Sequence, residues 1–317
     1  MAIIKTEAYF HSTNGKDMCR TLIWTDDDID PIGILQISHG VTDHIDRYAR
    51  FAAFMAENGF IVCGNDHIGH GKTAKTMAEL GDFGAPDADV RMVDDMHVLY
   101  HIMSNRYPGL PYFLLGHSMG SFLSRIYASL FGDELSGLIA CGTAQIGGAA
   151  SSLSEYTDTV ADLIGRDKFS SRGSDALGKI TSHYYKENDD SSWLSLSQEN
   201  RIEAESDPYF DFPITNASAM NLAKMLFKCS SDECITSTPQ SLPIYLLSGG
   251  KDPIGFFGRG VISLCEKLEN NGNDVQIQIY PGLRHEILNE DDYEHIYKDI
   301  LNWCVSSLQK GYQADFI

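Results

Sequence analysis

Ser118 stands in Gly-His-Ser-Met-Gly, directly after the apolar run of residues 112–115. A hydroxyl is a poor end for a hydrophobic strand unless it has chemistry to do. A serine hydroxyl is barely acidic near neutral pH. To act as a nucleophile it needs a histidine base, and the histidine needs an acid to fix its tautomer and stabilise its charged form. Two later stretches supply these types. Asp252 follows the apolar run "PIYLLSGG", and His285 follows "VQIQIYPG". Each candidate therefore lies just past its own apolar run, in the chain order Ser, Asp, His. Glu286 is a rival acid, although the side chain next to a histidine usually points elsewhere. Other roles are open to the same residues: Asp252-Pro253 suits a turn, and His285 suits a helix cap.

Attack by Ser118 would create an oxyanion, which needs donors. Gly116 and Gly120 bracket the serine. A sharp strand-to-helix turn forces strained angles on the nucleophile and crowds its second neighbours, so glycine suits both places. Such a turn sets the Met119 N–H at a helix start, where it can bind an anion. The second donor is expected from the loop "SHGVTDHIDRY" after the first core strand, with the Val41 N–H as candidate. Gly40 would let backbone approach, though it also suits a strand terminator. His39 reads as support for that loop, and Asp43, His44, Arg47 and Tyr48 as braces. His67 and His70 in "NDHIGHGKT" lack further ligands at metal-binding spacing, so that loop reads as structural and no metal is expected.

These residues need a frame. Residues 6–25 alternate around "STNGKD", where Asn14-Gly15 predicts a hairpin turn. Short apolar runs then alternate with helix-period segments. Strands are expected at 32–38, 60–66, 112–118 and 135–143, with helices near 46–58, 88–105 and 119–131. The rhythm stops from about 145 to 238, a stretch rich in Ser, Asp and Asn with helical pieces such as 217–227. It resumes with strands at 242–252 and 275–282 and helices near 258–271 and 293–308. The pattern predicts an α/β fold: a mostly parallel, doubly wound sheet. Its core is formed by 1–144 and 239–317, and a helical cap, 145–238, is inserted between them.

Composition narrows the partners. The 24 basic and 44 acidic residues give a formal charge of −20, which repels nucleic acid and anionic membrane surfaces. The N-terminal stretch has no apolar core behind a basic start, and no run of about 18 apolar residues occurs. The expectation is a cytoplasmic protein without stable membrane insertion. The seven scattered cysteines read as reduced thiols. Asn216-Ala217-Ser218 matches a glycosylation acceptor that such a protein would not use.

The stretches "HGVTDHIDRYARFA", "DHIGHGKT", "GHSMGS", "GGKDPIG" and "YPGLRHEILNE" together resemble the monoacylglycerol lipase and lysophospholipase group of the α/β-hydrolase superfamily, often filed with the serine aminopeptidases. The resemblance covers roughly 25–145 and 238–308. It implies the α/β-hydrolase fold, a triad of Ser118, Asp252 and His285, and oxyanion donors at Val41 and Met119. It also implies a cofactor-free hydrolase of small acyl esters. Ile68 departs from the arginine usual before Gly-His-Gly in that group, and the cap matches only in fragments such as "WLS" and "DP". Gln145, Met220 and Phe256 are candidate pocket residues. A serine aminopeptidase keeps the same triad but needs an acidic cluster for the substrate amine, for which Glu203, Glu205, Asp207 and Asp211 are candidates. A catalytically silent binding protein is the remaining alternative, and an intact set of Ser118, Asp252 and His285 speaks against it.

Overall fold

The computed structural model of the chain describes residues 3–147, 157–169 and 192–314. Eight strands form one sheet: β1 (Ile3–His11), β2 (Met18–Asp26), β3 (Gly33–Ser38), β4 (Phe60–Asn65), β5 (Tyr112–His117), β6 (Gly137–Cys141), β7 (Ile244–Gly249) and β8 (Val275–Tyr280). Their order is β1-β2-β4-β3-β5-β6-β7-β8. The hairpin β1–β2 and the β2–β4 pair are antiparallel, and every other pair is parallel. The hairpin turns at Gly15, whose φ of 71° suits glycine.

Strands β3 to β7 are buried along their whole length. That is why they read as continuous apolar runs: a parallel sheet is covered on both faces. Strand β8, at the edge, alternates instead. One face carries α1 (Ala49–Glu57) and the last helix, Tyr293–Ala314, with Phe51, Met55, Tyr297 and Ile300 at its centre. The other carries α2 (Ala88–Arg106), α3 (Met119–Phe131) and the helix Arg259–Asn271, packed through Met92, Met96, Leu123 and Leu264. No helix among the described residues is long and apolar enough to cross a membrane.

Between β6 and β7 lie α4 (Thr157–Ile164), α5 (Gln198–Ser206), α6 (Asn216–Cys229) and α7 (Asp232–Ser237). Thr215 caps α6 and Ser231 caps α7, each through its side-chain oxygen. Helices α6 and α7 join the core on the α3 side, where Met225, Cys229 and Ile235 are buried. Arg125 of α3, itself buried, ties the two ends of this segment together. Its guanidinium donates to the Ala144 carbonyl at 2.7 Å, to Thr143 Oγ1 at 3.3 Å and to the Cys229 carbonyl. The part of the segment nearest β7 thus packs closely on α3. The final two helices of the fold are α8 (Arg259–Asn271) and α9 (Tyr293–Ala314).

Candidate active site

Ser118 lies between β5 and α3 with φ 53° and ψ −120°, a conformation L-residues rarely adopt. Holding a serine there costs about 1–3 kcal/mol, which the surroundings must offset. The Ser118 N–H donates to the Cys141 carbonyl at 3.0 Å, and Ser121 Oγ donates to the Ser118 carbonyl at 2.6 Å. The flanking glycines are sterically required. A Cβ on Gly116 would fall 2.3 Å from the Gly120 carbonyl oxygen, and one on Gly120 would fall 2.0 Å from that of Ser38. Gly120 therefore lets α3 start hard against the end of β3. Met119 is the first residue of α3, so its N–H has no acceptor within the helix.

His285 Nδ1 lies 2.9 Å from Asp252 Oδ2, and both side chains are fully enclosed. The other Asp252 oxygen accepts the Ile254 N–H at 2.8 Å, which fixes the carboxylate plane. The His285 ring reaches the serine turn: its centroid is 4.8 Å from that of His117, the residue before Ser118. Gly142, at φ 58°, leaves the room for this, since a Cβ there would lie 3.1 Å from His285 Cε1. Burial would lower the His285 pKa, but the charge and hydrogen bond of Asp252, with Glu286 and Asp43 nearby, raise it above the ordinary value. His117 is pushed the other way, to about 4, by burial and by the neighbouring His285. One histidine of the pair is thus tuned to take a proton and the other to stay neutral.

The loop after β3 closes on the serine from the far side. Gly40 comes so near that a Cβ would meet Ser118 Cβ at 3.3 Å. Val41 follows, partly exposed, and Thr42 adopts a positive φ of 52°. His39 pins this loop to the next one. The His67 N–H donates to His39 Nε2 at 2.9 Å, which leaves the His39 proton on Nδ1, donating to the Gly40 carbonyl at 2.8 Å. Burial lowers the pKa of His39, His67 and His70, the last to about 3, so the cluster is neutral. Among the described residues no group of three or more His, Cys, Asp or Glu is arranged to hold a metal. Tyr48 Oη lies 2.9 Å from Asp43 Oδ2 and 3.1 Å from His117 Nδ1, so the bracing residues connect both loops.

Glu286 points away from the His285 ring. It forms a two-pronged ion pair with Arg47, both contacts 2.8 Å, and accepts from Asn200 Nδ2 at 2.8 Å. Burial would raise its pKa, but Arg47 outweighs that and holds it down at about 2. This joint locks the histidine loop to the loop after β3 and to α5. Arg47→Met leaves the Glu286 carboxylate buried without its cation. Breaking such a pair costs about 3–5 kcal/mol. The expected result is a lower urea midpoint with an unchanged denaturant slope; a midpoint like that of the unaltered protein would show that the pair is not structural.

A family model described as serine aminopeptidase, S33, matches residues 29–292. The chain belongs to this family. It is 33% identical to a highly thermostable carboxyl esterase from Bacillus coagulans, solved in complex with glycerol, with a TM-score of 0.86 over 97% of this chain and 99% of that one. It is also 27% identical to the monoacylglycerol lipase of Mycolicibacterium smegmatis over 90% of this chain and 92% of the relative. Human monoglyceride lipase is 32% identical over 34% of each chain. The fold is the α/β-hydrolase fold.

Within this S33 hydrolase the three pocket residues read from sequence fall in different settings. Both ends of the Gln145 amide are engaged: Oε1 accepts from Arg125 at 2.5 Å, and Nε2 donates to the Ser230 carbonyl at 2.9 Å. Phe256 is 43% exposed at a positive φ of 52°, and its ring lies against Gly260, where a Cβ would fall 3.0 Å from it. Met220 is half-buried on α6. Sequence reading passed over Arg125, Asn200 and Glu290. Glu290 accepts from Ser195 Oγ and the Leu196 N–H, both at 2.8 Å, and so fastens the stretch before α5 to the histidine loop. The available signal was a second glutamate four positions after Glu286, at the end of the motif "RHEILNE".

Proposed function

We propose that this chain hydrolyses small carboxylic esters, of the monoacylglycerol, lysophospholipid or similar class, through an acyl-enzyme on Ser118. The observation that carries the reading is the Asp252–His285 pair, 2.9 Å apart, set beside the strained turn that presents Ser118. His285 takes the Ser118 proton as Oγ attacks the ester carbonyl. The Val41 and Met119 amides hold the oxyanion. As the tetrahedral intermediate collapses, the carbon–oxygen bond to the alcohol breaks and His285 returns the proton to that oxygen. A water activated by the same histidine then releases the acid. No cofactor enters these steps.

Ester rather than peptide hydrolysis is supported by the names of the full-length relatives and by the state of the acidic residues. Asp207, one of the four candidate amine ligands, is committed to His44 Nε2 at 2.7 Å and to the Tyr209 N–H at 2.8 Å. Glu203 and Glu205 are exposed on α5. We take 145–238 as the cap that shapes the acyl pocket, and the cytoplasm as the location, which all seven cysteines being free and buried supports. With a net charge of −20, soluble short- to medium-chain esters and monoglycerides are the expected substrates rather than long-chain lipid in anionic vesicles. The test is a kcat/KM profile over C2–C16 esters, monoglycerides and aminoacyl arylamides. The expected outcome is ester turnover that levels off at medium chain length. Faster cleavage of the amides would overturn the ester reading. A steady climb to C16 with activation by vesicles would overturn the chain-length reading.

A further inference from the structure

The residues on either side of His285 each hold a residue on either side of Trp193. Arg284 Nη1 donates to the Ser192 carbonyl, and the Glu286 N–H donates to the Leu194 carbonyl at 2.7 Å. The indole is thereby laid against the imidazole, with ring centroids 5.2 Å apart and planes 36° from parallel. Glu290 then fastens the next residues, accepting from Ser195 Oγ, the Leu196 N–H and the Ser197 N–H. Ser192, Leu194 and Ser195 are buried, yet Trp193, the largest apolar side chain of the strip, keeps part of its surface open. A rigidly held, partly open indole beside a buried imidazole is an arrangement for contact with something that comes to that imidazole.

We propose that Trp193 is a specificity-determining residue for the alcohol side of the ester, favouring alcohols that carry an apolar or flat group next to the ester oxygen. The proposal rests on the reading of Ser118 and His285 given above. Asp252 occupies His285 Nδ1, so the leaving oxygen receives its proton from Nε2 and must come within about 2.6–3.2 Å of it. The atoms attached to that oxygen then lie alongside the ring, where the indole is. The acyl group, by contrast, is fixed by its bond to Ser118. The alcohol has left before water attacks the acyl-enzyme. Trp193 therefore acts on acylation and leaves deacylation alone, which separates a contact with substrate from a structural role.

The experiment compares methyl, butyl and benzyl butyrate, which share one acyl group and have alcohols of similar acidity. In Trp193→Ala the benzyl-to-methyl ratio of kcat/KM is expected to fall about tenfold, the scale of one aromatic or methylene contact. Deacylation of the common butyryl-enzyme, followed after a p-nitrophenyl butyrate burst, should stay within about twofold. Trp193→Phe should keep most of the ratio. Trp193→Leu carries the same comparison if the alanine variant melts early. An unchanged benzyl-to-methyl ratio would overturn the proposal. So would an equal fall for all three esters together with slowed deacylation, which would make the indole a prop for His285. If Ser118→Ala instead cleaved esters like the unaltered protein, the hydrolase reading would fall, an outcome distinct from either.

Discussion

Ser118→Ala and His285→Ala are expected to lower kcat by about 10⁵–10⁶ while the fold persists, because members of a triad act as a unit and losing one removes nearly the whole nucleophilic route. The geometry gives the Ser118 result a second readout. Ser118 stands at φ 53°, ψ −120°, and alanine keeps the Cβ that makes this conformation costly. Ser118→Gly removes the hydroxyl and the Cβ together. It should be equally inactive but more stable than Ser118→Ala by about 1–3 kcal/mol, the strain held at the turn. Burst kinetics with an activated ester and thermal melts of the three proteins make the comparison. Residual turnover of Ser118→Ala within a hundredfold of the unaltered enzyme would remove Ser118 from the nucleophile role. Equal melting of the alanine and glycine variants would mean that the turn stores no strain.

The parallel sheet was legible because burial on both faces turns each central strand into a short, mostly apolar run, as in residues 112–115. The helix after Ser118 was legible for a related reason: two glycines four residues apart, Gly116 and Gly120, have no use in an ordinary strand-to-helix connection. What did not show in the sequence is whatever depends on contacts between distant segments. Glu286 and Glu290 look alike in "RHEILNE", and nothing local says that one meets Arg47 and Asn200 while the other receives Ser195 and Leu196. Arg125 reads as a charge on an amphipathic helix, yet it is buried at the joint of Thr143, Ala144 and Cys229. The helices between β6 and β7 were the faintest, since their apolar faces are narrow and their neighbours are rich in Ser and Asp. Gln145 shows the limit for the site itself. Both ends of its amide bind protein groups, and nothing in the neighbouring sequence says which way the side chain turns.

Asp252→Asn is expected to lower kcat by about 10⁴ without unfolding the protein. The reason lies in how the two carboxylate oxygens are used. One accepts the Ile254 N–H at 2.8 Å and the other the Nδ1–H of His285 at 2.9 Å. In the asparagine variant the amide oxygen stays with the Ile254 N–H, and the NH₂ group turns to His285. Nδ1 must then accept, so the proton moves to Nε2, and the nitrogen that should deprotonate Ser118 is already protonated. The pH profile reports the same change with opposite sign to an ordinary loss of activity. His285 must be neutral to act as a base, and Asp252 raises its pKa against the effect of burial. In the unaltered enzyme kcat/KM should therefore rise with pH through a midpoint above the reference value of about 6.5. Removing the Asp252 charge takes away the largest influence that raises this pKa, so the rising limb of the variant's residual activity should move to lower pH. Glu286→Gln is the control, because Glu286 faces Arg47 and Asn200 and not the imidazole. It should cost stability and leave most of kcat. If Glu286→Gln carried the 10⁴-fold loss and Asp252→Asn stayed near the unaltered rate, the acid of the site would be Glu286, and the 2.9 Å contact at Nδ1 would be a structural hydrogen bond only.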